Sequence, residues 1–178
     1  MKKILMIATG GTIASKETEE GLAPAISSQE LLSCVPEVAE ACSVDTVQPF
    51  NLDSTNVRAP HWLQIADIIE RNYGIYDGFV VTHGTDTMAY TAAALSYLIQ
   101  NSSKPIVLTG SQKSVYSRDT DARRNLSDAF LFCADDNSYG VRIVFDSSVI
   151  LGTRAKKTRT RSFNAFSSID FPAVAVMR

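Results

Sequence analysis

Two short apolar runs, each followed by a glycine–threonine turn, constrain the fold of this chain more than any other feature. Residues 4–8 lead into Thr9-Gly10-Gly11-Thr12, and residues 79–82 lead into His83-Gly84-Thr85-Asp86. A short apolar run bounded by glycine is typical of a buried strand. Glycine lets the chain turn and lets a ligand approach the backbone closely. Such turns meet at the carboxyl edge of an open parallel sheet, so we expect Thr12, Thr85 and Asp86 to face one pocket.

Strand-like and helix-like segments alternate between residues 44 and 145, which predicts an α/β fold with a largely parallel twisted sheet flanked by helices on both faces. The predicted strands are 44–50, 79–83, 106–109 and 141–145, and the predicted helices are 60–72, 85–100 and 120–133. We also expect a short helix capped by Ser28 and a final strand over 171–176. Residues 15–27 predict either a mobile lid or an exposed hairpin.

Composition narrows the range of partners and locations. The net charge of −2 gives no general attraction to nucleic acid or to an anionic membrane. Cys34, Cys42 and Cys133 are scattered and odd in number, which favours a reducing compartment. The apolar run after Met1 is shorter than the roughly seven residues of a signal peptide, and no stretch approaches the ~20 apolar residues of a membrane helix. We therefore expect a cytoplasmic protein without a membrane segment.

The motifs disfavour several common chemistries. The first turn lacks both the GxGxxG spacing and the Gly-Lys-Ser/Thr of a phosphate-binding loop, so a nucleotide site has little support, and a purely structural Gly-Gly turn remains open. There is no Gly-x-Ser-x-Gly and no metal-ligand spacing, and a lone histidine at a strand end, His83, is more often structural than catalytic.

A threonine nucleophile with a lysine partner is the better chemistry, because a hydroxyl needs a base to take its proton. The basic stretch 154–161 offers lysines, and if it is extended, Lys157 and Lys156 point to opposite faces. A solvated basic strand and a nucleic-acid patch are the alternatives. Asp86 is predicted to begin a helix. Its carboxylate is then either a residue that stabilises the positive end of the helix dipole or a functional anion, which would pair with a ligand ammonium or with the lysine.

These motifs resemble the two signatures of the bacterial-type L-asparaginases, most closely the cytoplasmic, type I-like branch. The first signature is matched by residues 9–14 and the second by residues 83–89. Residues 53–56 resemble the family's substrate loop, and residues 152–166 resemble the segment that carries its catalytic lysine. The resemblance covers essentially the whole chain.

The resemblance implies a role for each matching residue. Thr12 would be the nucleophile that attacks the side-chain amide of L-asparagine, and Thr85, Lys157 and Asp86 would form a second catalytic group. Asp86 would also hold the substrate's α-ammonium, and Asp53, Ser54 and Thr55 would form the loop that takes its α-carboxylate. No metal and no cofactor would be needed, and the family implies a homo-oligomer.

Two departures from the family pattern lead to further expectations. Many members carry a lid tyrosine, but residues 13–30 contain none; the place to look is 21–24, and Tyr116 or a partner chain is the candidate substitute. Members are also nearly twice as long, so we expect residues 1–178 to be the amino-terminal catalytic domain, with the family's carboxy-terminal domain absent and activity weak. The alternatives are a glutaminase or amidotransferase-subunit amidohydrolase, and a non-catalytic amino-acid-binding module.

Overall fold

The structure is a computed structural model that describes residues 1–18 and 21–178, with the backbone alone for 17, 18 and 21–24. Its strands are β1 Lys2–Ala8, β2 Ser15–Thr18, β3 Gly21–Pro24, β4 Cys42–Val47, β5 Gly78–Thr82, β6 Pro105–Thr109, β7 Gly140–Phe145, β8 Ser148–Leu151, β9 Ala155–Lys157, β10 Phe166–Ser168 and β11 Ala175–Val176. Its α-helices are α1 Ser28–Ser33, α2 Val38–Ala41, α3 Ala59–Asn72, α4 Met88–Leu98 and α5 Ala122–Ala134. Two short 3₁₀ turns cover Thr12–Ala14 and Ser54–Asn56.

The central sheet is largely parallel, as the alternation of strands and helices predicts. Its strand order is β11-β8-β7-β6-β5-β1-β4, and β4, β1, β5, β6 and β7 run parallel, whereas β8 and β11 are antiparallel additions at one edge. Ile7 pairs with Val81, and Val81 pairs with Leu108, so β1, β5 and β6 end level with one another. The turns that follow these three strands therefore lie at one edge of the sheet.

Helices cover both faces of this sheet, which confirms the predicted layering. Successive strand residues point to opposite faces, and the two faces of β1 are buried in different clusters. Met6 packs with residues of α1, α2 and α5, whereas Ile7 packs with residues of α3 and α4. The first cluster includes Leu31, Val38, Leu126 and Phe130, and the second includes Ile65, Ile69, Met88 and Leu95. Because both faces are covered, the strands are apolar on both sides.

The prediction of a helix beginning at Asp86 is wrong. Helix α4 begins at Met88 with Thr87 as its N-cap, and Asp86 lies in the turn before it. Asp86 is paired with a lysine instead, so an ion pair rather than the helix dipole accounts for its position.

Other boundaries also differ from the prediction, among them that of the predicted strand 44–50, which is Cys42–Val47. Ser27, not Ser28, caps α1, and its Oγ accepts a hydrogen bond from the backbone N of Glu30 at 3.2 Å. The basic stretch is a strand only over β9, and the carboxy-terminal strand is only the short β11.

Of the two interpretations of residues 15–27, the hairpin is found, because β2 and β3 pair antiparallel. Within the described part of the chain, no helix is long and apolar enough to cross a membrane.

Candidate functional site

Three turns meet at the carboxyl edge of the sheet because glycines let their backbones touch. A Cβ atom placed on Gly11, which has φ +80°, would lie 2.4 Å from the Cα of Gly84. A Cβ atom on Gly84 would lie 2.6 Å from the Cβ of Ser54. Such distances are far inside van der Waals contact, so glycine is required at both positions. The backbones of the turns that carry Thr12 and Thr85 are therefore packed against each other, with the Ser54 side chain against Gly84.

Lys157 connects the second turn to β9. Its Nζ donates to the Oγ1 of Thr85 at 2.8 Å and to the Oδ1 of Asp86 at 2.7 Å. The Lys157 side chain is 14% exposed and Asp86 is 58% exposed, so the ion pair is open to solvent on the carboxylate side. Lys156 points to the opposite face of β9 and is exposed. Of the predicted site residues, Thr85, Asp86 and Lys157 are thus in direct contact.

Gln112 joins this cluster and was not among the predicted site residues. Its Oε1 accepts a hydrogen bond from the Thr85 hydroxyl at 3.2 Å. Its Nε2 donates to the carbonyl oxygens of Thr160 and Ser162 at 3.0 and 3.1 Å. The Thr85 hydroxyl consequently donates to Gln112 and accepts from Lys157, which fixes its orientation. The available sequence signal was that Gln112 follows Gly110-Ser111 directly after β6, at the same edge as the other two turns.

The start of α5 holds the loop that carries Gln112. The Asp121 carboxylate, which is 9% exposed, accepts from the backbone N of Gln112 at 2.9 Å and from that of Lys113 at 3.1 Å. The Asn125 side chain donates to the carbonyl oxygen of Gly110 at 2.9 Å. Buried polar groups that have all their hydrogen-bond partners make a site rigid. The backbone at Gln112 is therefore held in place, and with it the position of the Gln112 side chain.

The predicted substrate loop also lies at this edge. The Oδ1 of Asp53 accepts from the backbone N of Thr55 at 2.8 Å and from its hydroxyl at 2.7 Å, which closes the 3₁₀ turn. Ser54 is buried against Gly84, and its carbonyl oxygen accepts from the hydroxyl of Thr87 at 2.7 Å. Asp53 and Thr55 are exposed. The Asp53 carboxylate therefore shapes the loop, and Ser54 is the member packed against the second turn.

Thr12 begins the first 3₁₀ turn and is half-buried. Among the described residues its hydroxyl makes no hydrogen bond, in contrast to the Thr85 hydroxyl. The turn leads directly into the β2–β3 hairpin. The Thr12 hydroxyl is thus next to a hairpin and is not committed to a structural contact in the described part of the chain.

Tyr116, the candidate for the missing lid tyrosine, is bonded to Glu30. The hydroxyl of Tyr116 and the Nζ of Lys16 donate to the same oxygen of Glu30, at 2.6 and 2.8 Å. The hydrogen bond to Glu30 raises the pKa of Tyr116 to about 12. The pKa of Glu30 is lowered, mainly by its hydrogen bond from Lys16 and next by the one from Tyr116. Tyr116 is held at α1 beside the hairpin, with its proton directed to Glu30. The side chains of 21–24, the other place to look, lie outside the described residues.

His83 is buried in a chain of hydrogen bonds. Its Nδ1 lies 2.7 Å from the carbonyl oxygen of Gly84, and its Nε2 lies 2.9 Å from the Thr91 hydroxyl, which also accepts from the Nε1 of Trp62 at 3.0 Å. Burial lowers the pKa of His83 to about 4, so the ring is neutral near pH 7. A neutral ring that donates to Gly84 accepts from Thr91. His83 therefore supports the second turn, as its position at a strand end indicates.

No cluster of three or more potential metal-ligating side chains occurs among residues 1–18 and 21–178. The chemistry that the site offers is that of two threonine hydroxyls, one lysine and one carboxylate. The described geometry gathers Thr85, Asp86 and Lys157 by direct bonds and brings the turns of Thr12 and Ser54 against them.

Comparison with known families gives a match over nearly the entire chain. The model of the family described as asparaginase, N-terminal, matches residues 3–178. An L-asparaginase from Thermococcus kodakarensis is 40% identical over 177 residues, which are 99% of this chain and 54% of that protein. A glutamyl-tRNA(Gln) amidotransferase subunit from Pyrococcus abyssi is 36% identical over 185 residues, covering 98% of this chain and 42% of that protein.

Solved structures give the same result. The thermostable L-asparaginase from T. kodakarensis superposes with a TM-score of 0.91 at 39% identity, covering 99% of this chain and 54% of that one. A probable cytoplasmic L-asparaginase from Campylobacter jejuni superposes with a TM-score of 0.90 at 30% identity, covering 100% of this chain and 55% of that one. The chain spans about half the length of the relatives that it matches.

Proposed function

Because the chain belongs to the asparaginase family, through that family's amino-terminal domain, we propose that it is the catalytic domain of an amidohydrolase that converts L-asparagine to L-aspartate and ammonia. The observation that carries the proposal is the bridge from the Nζ of Lys157 to the Thr85 hydroxyl and the Asp86 carboxylate. It places a lysine, a hydroxyl and a carboxylate in one hydrogen-bonded group beside the turn that carries Thr12.

In the first half of the proposed reaction, Thr12 forms an acyl-enzyme. Its Oγ1 attacks the side-chain amide carbon of asparagine, and its proton passes to the amide nitrogen. The carbon–nitrogen bond breaks, ammonia leaves, and an ester joins Thr12 to the aspartyl group. A hydroxyl without a structural hydrogen bond in the described part of the chain is suited to this step, because no contact has to be broken before the attack. Backbone N–H groups at the second turn are the candidate donors for the developing oxyanion.

In the second half, water hydrolyses the ester. For this step Lys157 has to be the neutral amine: Thr85 takes a proton from the attacking water and passes its own proton to the Lys157 amine. The ester bond to Thr12 breaks, the lysine's proton returns to the Thr12 oxygen, and aspartate leaves. The bonds from Lys157 and to Gln112 fix the Thr85 hydroxyl, and a fixed proton acceptor is what general base catalysis requires. Neither half requires a metal or a cofactor.

The substrate's charged groups have candidate partners on either side of this centre. Asp86 is more than half exposed, so its carboxylate can accept the α-ammonium while it remains paired with Lys157. The loop of Asp53, Ser54 and Thr55 would hold the α-carboxylate, with Ser54 as its contact and Asp53 fixing the loop. The substrate would then lie across the adjoining surfaces of the loop and the second turn, over Thr12.

A glutaminase, or an ammonia-supplying subunit of a tRNA-dependent amidotransferase, is the second candidate. The similarity to the amidotransferase protein from P. abyssi favours it, because that protein matches this chain over nearly the chain's full length. Both candidates use the same amide chemistry and differ in the length of the substrate or in the need for a partner protein.

Ammonia release from L-asparagine and L-glutamine, measured in parallel with calorimetric binding of each, tests the proposal. Preferential turnover of asparagine supports the asparaginase. Preferential turnover of glutamine supports the second candidate, and binding without ammonia release in any context indicates a non-catalytic amino-acid-binding module. A pull-down from the host that recovers a tRNA-dependent partner would assign the protein to the amidotransferase class.

Homo-oligomerisation and a cytoplasmic location are part of the proposal. The exposed side of Asp86 and Lys157 borders a hollow of about 420 Å³ that Tyr90, a residue 66% exposed, also lines. Tyr97, seven residues further along α4 and 70% exposed, lies on the same helix face, and a group of exposed aromatic side chains beside a site is typical of a surface that another protein covers. The similarity to the probable cytoplasmic enzyme from C. jejuni supports the location.

A further inference from the structure

Arg142 is a buried cation at the end of the sheet opposite the proposed active site. It lies near the start of β7, whereas the site lies at the carboxyl ends of the parallel strands. The residue is 8% exposed, and Val107 and Leu151 are its strand neighbours. The function proposed above makes no use of it.

The guanidinium of Arg142 has unused hydrogen-bonding capacity. Its Nη1 donates to the carbonyl oxygen of Val141 at 2.9 Å, and the Tyr139 side chain is a second partner, but its Nε is buried without a hydrogen-bond partner. It forms no ion pair within the described part of the chain. Removing a charge from water without a counter-ion costs several kcal/mol, and burial lowers the pKa of Arg142 accordingly. A group of this kind is stabilised by any anion that can reach it.

The surroundings of Arg142 leave room for such an anion. The side chain borders a hollow of about 350 Å³ between the end of α5 and β11. Leu131, Val174 and Met177 contribute apolar walls. The guanidinium carbon lies 5.0 Å from the centre of the Tyr139 ring, and a Cβ atom on Gly140 would lie 2.9 Å from Nη1. Tyr139 and the bare backbone of Gly140 thus hold the guanidinium in place.

We propose that this hollow binds a small organic carboxylate. The carboxylate would accept a hydrogen bond from the side of the Arg142 guanidinium that borders the hollow, and the apolar body of the ligand would pack on Leu131, Val174 and Met177. A volume of 350 Å³ lies within the range of small-molecule sites. Because the walls are mainly apolar, an acid with a short hydrocarbon chain fits better than an inorganic anion. The site is separate from the proposed active site and does not depend on the function assigned to it.

Among the described residues, Asp135 is the one carboxylate at the rim of the hollow. It is exposed, and its Oδ1 accepts from the backbone N of Asn137 at 2.7 Å. It is therefore turned to its own loop and is not paired with Arg142. Its charge repels an incoming carboxylate, so its removal strengthens binding if the proposal is correct.

Hexanoate is the test ligand, with hexanol as the uncharged analogue and inorganic phosphate as the anion without an apolar body. Calorimetry and methyl chemical-shift changes at Leu131, Val174 and Met177 follow binding to the purified chain. We expect hexanoate to bind at millimolar or lower concentration, about tenfold more tightly than hexanol or phosphate, since a hydrogen bond to a charged group is worth at least that factor.

Three variants test the role of Arg142. R142Q is expected to remove the preference for hexanoate over hexanol, D135N to tighten hexanoate binding a few-fold, and R123Q, which removes an exposed arginine of α5, to change neither. Equal binding of hexanoate and hexanol by the unmodified chain, or unchanged hexanoate binding by R142Q, would overturn the proposal. If R142Q does not fold, weaker hexanoate binding by D135N would overturn it as well.

Discussion

At the scale of single residues, the two threonines of the site differ in what holds them. The Thr85 hydroxyl is fixed by Lys157 and Gln112, whereas the Thr12 hydroxyl makes no hydrogen bond to a described residue. A nucleophile has to approach the substrate carbon, so a hydroxyl without other hydrogen bonds suits that role. A group that relays protons has to be held in one orientation, so a fixed hydroxyl suits that one. This difference supports Thr12 as the nucleophile and Thr85 as the partner of the lysine.

Replacing Thr12 by Ala is expected to lower the rate of ammonia release roughly 10³-fold or more, because a nucleophile and its base act as one unit. The free energy of unfolding, measured with urea, should change by no more than about 0.5 kcal/mol, since no described contact is lost. Near-normal turnover by T12A would exclude Thr12 and leave Thr85 as the nucleophile.

Replacing Lys157 by Met is expected to lower the rate by about 10²–10⁴, the usual contribution of a positioned acid or base. Lys156→Met is the matched control, because its side chain points away from Thr85 on the opposite face of β9. Initial rates at saturating asparagine compare the two variants. A larger loss of rate in K156M than in K157M would show that Lys156, not Lys157, is the catalytic lysine.

At the scale of secondary-structure elements, His83 links the end of β5 to two helices. Trp62 of α3 donates to Thr91 of α4, and Thr91 and the carbonyl oxygen of Gly84 hold the His83 ring on either side. All the groups in this chain of hydrogen bonds are paired only while the ring is neutral. The conformation of the turn that carries Thr85 therefore depends on the neutral His83 ring.

This arrangement makes the stability of the chain depend on pH. The pKa of His83 falls from 6.5 to about 4 on folding. Above pH 6.5 the ring is neutral in the folded and the unfolded chain, so the free energy of unfolding does not depend on this histidine's protonation. As the pH falls from 6.5 towards 4, the unfolded chain binds a proton that the folded chain does not, and the free energy of unfolding decreases. The decrease reaches about 3 kcal/mol. Urea unfolding at pH 7.5 and pH 4.5 measures it.

A control isolates His83 from the carboxylates, which also respond to acid. H83Q should have a smaller difference in unfolding free energy between the two pH values than the unmodified chain. An equal difference in the two proteins would contradict a neutral buried His83.

Elements with local signals could be predicted from the sequence, and elements defined by distant contacts could not. The apolar runs of β1 and β5 and the apolar face of α5 are complete in themselves, and Ala122, Leu126, Ala129, Phe130 and Cys133 are all buried as expected. By contrast, β9 and β10 pair with each other, and Asp86, in the turn before α4, is paired with a lysine 71 residues away.

The same distinction applies to the site. Thr12 and Thr85 belong to short glycine motifs, and Ser54 lies in a stretch that resembles the family's substrate loop, so all three are candidates from the sequence. Gln112 acts through bonds to Thr85 and to carbonyl oxygens 48 and 50 residues further along the chain. No local pattern distinguishes such a glutamine from a solvated one, because its partners are defined only once β6 and the segment after β9 are side by side.

At the scale of the whole molecule, two large aromatic side chains are exposed on one face of α4 beside the site. Tyr90 and Tyr97 of α4 are 66% and 70% exposed, and residues seven apart lie on the same face of a helix. Tyr90 borders the hollow that contains Asp86 and Lys157. A neighbouring copy that covers this face would exclude water from the ion pair and strengthen its interactions.

We therefore expect specific activity and oligomer mass to fall together on dilution, followed by ammonia release and sedimentation velocity on the same samples. Y90R should shift the equilibrium towards monomer at every concentration, because it places a charge on the covered face, and should lower turnover in proportion. I75R, which alters an exposed apolar residue beyond the end of α3, is the matched control and should change neither quantity. A misplacement of about 1 Å at a catalytic centre costs ~10²-fold in rate, so even partial loss of a covering neighbour is measurable. Constant specific activity while the mass falls would show instead that one copy of the chain carries a complete site.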